Sequence, residues 1–125
     1  MNRSSAMEKV NLNQKFKLFS ELWTPKIVGE LNGQYVKLAK AQGEFVWHKH
    51  DHEDEFFLVI KGPFTVKLRE RNIRLDEGEF CIVPKGIEHK PVAEEEAHIL
   101  VFEPKSTKHT GDVKSDLTVE KLEWI

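Results

Sequence analysis

Turn signals recur so closely from Lys26 onward that the chain has no room for long helices. Asn32-Gly33, Lys61-Gly62-Pro63, Asp76-Glu77-Gly78 and Pro84-Lys85-Gly86 punctuate short runs rich in β-branched and aromatic residues. These runs are KIVGEL, QYVKLAK, EFFLVI, FTVKLRE, NIRL, EFCIVP and AHILVFE. Such composition, bounded by turn residues, reads as strand. In FTVKLRE, Phe64, Val66 and Leu68 alternate with Thr65, Lys67 and Arg69, as in a strand with one buried face. Asn32-Gly33 suits the two positive-φ positions of a type I′ hairpin turn. The acidic Glu94-Glu95-Glu96 reads as a loop between IEHKPV and AHILVFE, and a terminal strand is expected within Leu117 to Ile125. Many short strands at regular spacing predict an all-β barrel or sandwich.

The N-terminal part differs. Residues 1–10 are polar and aperiodic and read as a flexible tail, leaving residues 11–125 as a single domain. Leu12, Phe16, Phe19 and Trp23 follow at offsets of four, three and four, which predicts a short amphipathic helix. Asn11 or Asn13 is available as its N-cap, and Pro25 stops it.

At 125 residues and a net charge of −2, with acids and bases interspersed, the chain lacks the basic footprint of a nucleic-acid binder. The cluster Lys67 to Arg74 is interrupted by Glu70 and reads as a solvated hairpin. Cys81 is the only cysteine, so neither an intrachain disulfide nor a thiolate cluster can form. Its apolar setting predicts a buried, inert thiol. No apolar run reaches membrane-spanning length and the N-terminus lacks a signal-type apolar segment, so the expected location is the cytoplasm.

The chemistry concentrates in GEFVWHKHDHEDEFFLVIKG, residues 43–62. On a strand, His48 and His50 leave the same face. Glu55 opens the next strand, and His89 follows the Pro84-Lys85-Gly86 turn. If the sheet curls into a barrel, residues of matching parity converge in one lumen. His48, His50, Glu55 and His89 then form a three-nitrogen, one-oxygen set suited to Mn, Fe, Co, Ni, Cu or Zn. Four protein ligands leave open positions on a six-coordinate ion. The same parity places Val46, Phe57 and Val59 in the pocket, and Phe45, Trp47, Phe56 and Leu58 on the opposite side. His52 falls in the turn and is expected in solvent. His109 is also expected in solvent, while His98 reads as a core or interface residue.

This pattern resembles the cupin superfamily. The first cupin motif, in outline G-x5-H-x-H-x3,4-E-x6-G, appears as Gly43, His48, His50, Glu55 and Gly62, with one residue missing between Gly43 and His48. The second, G-x5-P-x-G-x2-H-x3-N, appears as Gly78, Pro84, Gly86 and His89, with Ala93 in place of the final Asn. The short segment between the motifs, Pro63 to Glu77, resembles that of small single-domain cupins. The motif core spans residues 43–93.

The resemblance implies an all-β cupin jelly-roll barrel with a short N-terminal helix, and a divalent metal on those four residues. It permits dioxygenase- or isomerase-type chemistry on a small organic molecule. A non-catalytic metal or ligand sensor, or a purely structural metal, is the alternative. The outward apolar set predicts a homodimer.

Overall fold

The computed structural model describes residues 7–125. One short helix, α1 (Leu12–Phe16), precedes eight strands: β1 (Lys26–Leu31), β2 (Gln34–Glu44), β3 (Glu55–Lys61), β4 (Phe64–Leu68), β5 (Asn72–Leu75), β6 (Phe80–Val83), β7 (His89–Pro104) and β8 (Glu123–Trp124). The predicted jelly roll of strands with one N-terminal helix is present. The hydrogen-bonded path runs β5-β4-β7-β2-β1-β8, with β6-β3 joined through β7, and it does not close on itself.

β7 organises the whole. Its 16 residues pair with β2 along one edge, from Glu44↔Val92 to Gln34↔Pro104. Along the other edge the partner changes: β4 pairs with the first part, from Leu68↔His89 to Thr65↔Val92, and β3 with the last, from Lys61↔His98 to Phe56↔Phe102. The loop expected at Glu94-Glu95-Glu96 is therefore a correction: the strand continues through it, with a register shift opposite Ala41 and Gly43. Ala93, Ala97, Ile99 and Val101 keep the inward phase, and the exposed Glu94 and Glu95 lie where the partner strands change over.

The Asn32-Gly33 turn forms as expected, with φ of 51° and 77° at its two residues. The helix is shorter than the apolar spacing predicts. It is capped by Asn11, whose side chain accepts from the Gln14 N–H, and it ends at Phe16. Phe19 and Trp23 are buried nonetheless, because the following coil lies against the sheet. Leu22 bridges to Lys40, and the Trp23 N–H donates to the Lys40 carbonyl at 2.8 Å. Trp23 itself adopts φ 57°, which no helix accommodates.

Two apolar clusters result. Phe16 and Phe19 cover Val28 and Leu38 on one face of the β1–β2 hairpin. The larger cluster fills the interior, with Phe57, Val59, Phe64, Val66, Ile99 and Val101 among its members. At about 1.5–3 kcal/mol for each large side chain, these two clusters supply most of the drive for folding. Among the described residues, no helix is long and apolar enough to cross a membrane.

Candidate metal centre

β2 ends at Glu44, so the histidine segment is not a ladder strand. His48 meets its partner in an isolated bridge, exchanging backbone hydrogen bonds with His89 at 3.0 and 2.9 Å. The Gly86 N–H donates to the His50 carbonyl at 2.8 Å, and the Lys85 N–H to the Asp54 carboxylate at 2.8 Å. The turn before β7 is thus bolted to the loop before β3. That clamp aims His48, His50 and His89 at Glu55, the first residue of β3.

One ligand atom from each of these four buried residues lies within 4.8 Å of all the others. Glu55 Oε1 is 3.2 Å from His89 Nε2 and 3.5 Å from His50 Nε2. Ligand atoms about 2.1 Å from one ion are at most about 4.2 Å apart, so a shift of roughly half an ångström would complete a coordination sphere. The donor tautomers are preset. His48 Nδ1 donates to the Val46 carbonyl at 2.8 Å, and His89 Nδ1 to the Ile87 carbonyl at 2.9 Å. Each ring therefore offers Nε2 inward, the arrangement that outer hydrogen bonds impose on metal-binding histidines. His50 Nε2 is buried and has no hydrogen-bond partner among the described residues. An orphaned nitrogen of this kind is costly unless something accepts its lone pair. The residues fit a divalent ion.

Electrostatics agree. Burial, reinforced by His89, lowers the His48 pKa from 6.5 to about 4, so its ring is neutral and able to ligate at pH 7. Burial pushes the Glu55 carboxyl up, but contacts with Glu103, His50 and His89 outweigh it and hold the pKa well below the usual range.

Beside the cluster is a pocket of about 50 Å³, whose walls include Trp23, Phe45 and Phe57 together with His48, Glu55, Lys37, Glu103 and His109. Of the pocket residues expected from parity, Phe57 lines it. Val59 is wholly buried in the core instead, and Val46 is half-buried, its carbonyl serving His48. Phe45 is a correction: expected outward, it is buried, stacks on Trp23 at 4.9 Å and meets the His48 ring edge-on. Period-two counting back from His48 fails because β2 ends at Glu44 and residues 45–47 are irregular rather than pleated. Trp47 stays on the outer side under the Arg69 guanidinium, 3.8 Å from its ring.

The remaining histidines divide. His52 is in solvent as expected. His98 stacks on Phe16 at 4.5 Å and contacts Glu96, away from the pocket. His109, expected in solvent, is half-buried: its Nδ1 accepts from the Val119 N–H at 2.8 Å, and burial lowers its pKa from 6.5 to about 4. Cys81 is half-buried rather than fully so, and burial with the nearby Glu55 charge raises its thiol pKa.

Two further residues line the pocket. Lys37 Nζ and Glu103 Oε1 are 2.8 Å apart, both side chains buried. The lumen therefore holds an ion pair where largely apolar walls were expected. The signal was present in β7, since Glu103 continues the inward series Ala97, Ile99, Val101. Burial and the Glu55 charge raise the Glu103 pKa well above the ordinary range.

Comparison with known proteins agrees with this geometry. The chain is 31% identical over 64 residues to the uncharacterised protein YdbB of Bacillus subtilis (strain 168), covering 50% of this chain and 57% of that one. A crystal structure of a cupin-2 domain containing protein from Shewanella frigidimarina NCIMB 400 superposes with a TM-score of 0.77 at 42% identity, over 83% of this chain and all of the other. The fold is shared with hydroquinone 1,2-dioxygenase from Sphingomonas sp. TTNP3, at a TM-score of 0.69 and 20% identity, over 79% of this chain and 32% of that one. The Cupin domain family matches residues 34–103, which include both motifs. The chain belongs to the cupin family.

Proposed function

We propose that the protein is a metal-dependent enzyme acting on a small organic molecule, with dioxygenase- or isomerase-type chemistry. One divalent first-row ion would be held by His48, His50, Glu55 and His89. The observation that carries this reading is the convergence of four buried donor atoms within 4.8 Å, next to a pocket. Bound there, a divalent ion supplies Lewis-acid polarisation or a centre for O₂. The aromatic walls, Phe45 and Phe57 among them, exclude water and orient the substrate.

The test is elemental analysis of protein from its native host, followed by O₂ uptake by Fe-, Mn- and Cu-loaded protein with catechols, diketones and thiols. One ion per chain with turnover on any class supports the reading. Absence of a bound first-row metal overturns it. The small volume, about 50 Å³, favours a second reading, a binding or sensing module. One ion per chain with ligand binding but no turnover selects that reading.

We further infer a cytoplasmic homodimer of a single domain spanning residues 11–125. Phe80 and Ile82 on β6 are 57% and 56% exposed, and Phe80 packs on Phe56 with ring centroids 4.9 Å apart. An apolar sheet face of this kind suits a second copy of the chain. A mass twice that of the chain by light scattering, lost in Ile82→Lys, is the expected result.

A further inference from the structure

We propose that the buried Lys37–Glu103 pair is the recognition element of the pocket and that it selects substrates bearing a neutral hydroxyl group. This deepens the proposed function and rests on that reading of the metal centre.

The pair is an unusual thing to find inside a small barrel. Taking two charges out of water is expensive, and an apolar pair of similar volume is often no less stable. Lys37 and Glu103 are 2% and 4% exposed, on neighbouring strands β2 and β7. Their contact satisfies Glu103 Oε1, at 2.8 Å from Lys37 Nζ. The rest of the Glu103 carboxyl meets no N–H donor among the described residues and lies against Glu55. Both side chains line the same pocket as His48 and Glu55. A buried lysine–carboxyl contact set into the wall of a pocket, beside a metal-binding set, is suited to hold a polar group of a ligand.

The chemistry of that ligand follows from its surroundings. A cation in the pocket would meet Lys37, and an anion would meet the Glu55 carboxylate. A neutral hydroxyl meets neither objection. It can donate to Glu103 as a carboxylate or accept from it as an acid, and it can accept one of the two remaining Lys37 N–H bonds. Such a site rejects the analogue lacking the hydroxyl, because the buried polar groups are then left unpaired.

Size sets the reach. A single water needs on the order of 10–15 Å³, so the pocket of about 50 Å³ admits only a few heavy atoms. A larger substrate would extend past His109 and Leu122. These two residues, with Lys37, also border a wide groove of about 830 Å³ formed largely by residues 105–122. The hydroxyl-bearing end would lie at the Lys37–Glu103 pair and the remainder would emerge into that groove.

The test uses the full chain loaded with Co(II), whose visible spectrum reports both metal binding and ligand approach. The probes are resorcinol and 1,3-dimethoxybenzene, its methyl ether with both hydroxyls capped, and the meta oxygens of neither can chelate a single ion. The variants are Glu103→Gln and the double variant Lys37→Met/Glu103→Leu, which removes both charges and leaves neither unpaired. The wild type should bind resorcinol on the order of ten-fold more tightly than the methyl ether, as one charge-assisted hydrogen bond predicts. The double variant should keep one Co(II) per chain and lose that preference.

A preference retained in the double variant overturns the proposal, as does equal binding of the two probes by the wild type. Loss of Co(II) from the double variant also overturns it, because the pair would then support the metal set rather than read the ligand. Failure of the wild type itself to bind Co(II) defeats the metal reading and this proposal together, and so is distinct from the other outcomes. Glu103→Gln keeps an acceptor but no charge, and a preference reduced without being lost supports the role of the charge.

Discussion

His48 and His89 exchange both of their backbone hydrogen bonds, at 3.0 and 2.9 Å, and their rings lie 4.4 Å apart. This single bridge unites the two sequence motifs. It fixes the separation of two ligands through the main chain, which side-chain rotation cannot disturb. The third histidine, His50, is held by its own carbonyl to Gly86, so the turn Pro84-Lys85-Gly86 positions two of the three imidazoles at once.

Replacement of a ligand should therefore remove the metal and spare the fold. His50→Ala and His89→Ala should each lower metal affinity by on the order of 100-fold or more, while far-ultraviolet circular dichroism stays β-rich. His52→Ala, at an exposed turn position, should leave the metal content at wild-type stoichiometry. Elemental analysis of the three variants checks this, and unchanged metal in both ligand variants would exclude the site.

Gly111 supports the centre from outside. It has φ 60°, and a Cβ at this position would lie 2.1 Å from the carbonyl oxygen of Lys49, the residue between His48 and His50. Gly111→Ala should cost about 1–2 kcal/mol for the left-handed backbone alone, with a further cost for the collision. Thermal unfolding should show a lowered Tm, and metal titration a weakened site. Gly33→Ala, at φ 77° with open space around it, bears only the backbone cost and should leave metal binding unchanged.

The Lys37–Glu103 pair should respond asymmetrically. Lys37→Met removes the partner of a carboxyl that is 5% exposed and already held above the ordinary carboxylate range, and should destabilise by about 1–3 kcal/mol, the cost of a buried polar group left unpaired. Lys37→Met/Glu103→Leu should be markedly less destabilised than that single variant. Urea denaturation of the metal-free proteins measures both. Equal losses in the two would show that the charges do not act as a pair.

Acid should weaken the metal-free fold in part through His109. Its pKa is about 4 when folded against 6.5 as the ordinary value, so between those limits the unfolded chain binds more protons. Stability from this group is fully present above about pH 6.5, is lost as pH falls toward 4, and amounts to at most about 3 kcal/mol. His48 adds a loss of the same sign. His109→Gln should flatten the dependence over that window relative to the wild type, as measured by chemical denaturation at fixed pH values. An unchanged slope would mean that His109 protonates freely in the folded protein.

The metal set was legible because its information is local. Spacings within two short motifs identify His48, His50, Glu55 and His89, and the clamp between the motifs keeps those spacings meaningful in space. The pocket was less legible for two reasons. Phe45 is buried where an outward position was expected, because the pleat stops at Glu44, while Val46 packs half-buried against the core. Lys37 and Glu103 are 66 residues apart, and a lysine among alternating residues in QYVKLAK reads as solvent-facing until its partner is known. The helix was overextended for a related reason: Phe19 and Trp23 are buried, but by a coil that follows the sheet.

β7 carries His89 at its first position and Glu103 one short of its last. These two buried side chains thus belong to one strand, whose irregularity around residues 94–96, opposite Ala41 and Gly43, adds an even number of residues and keeps both on the odd-numbered, inward phase. Insertion or deletion of a single residue between them would turn one of the two out of the lumen while leaving the other in place. Length changes within this strand are therefore constrained to even steps or to a compensating bulge. The length of a single strand thus couples the placement of His89 to that of Glu103.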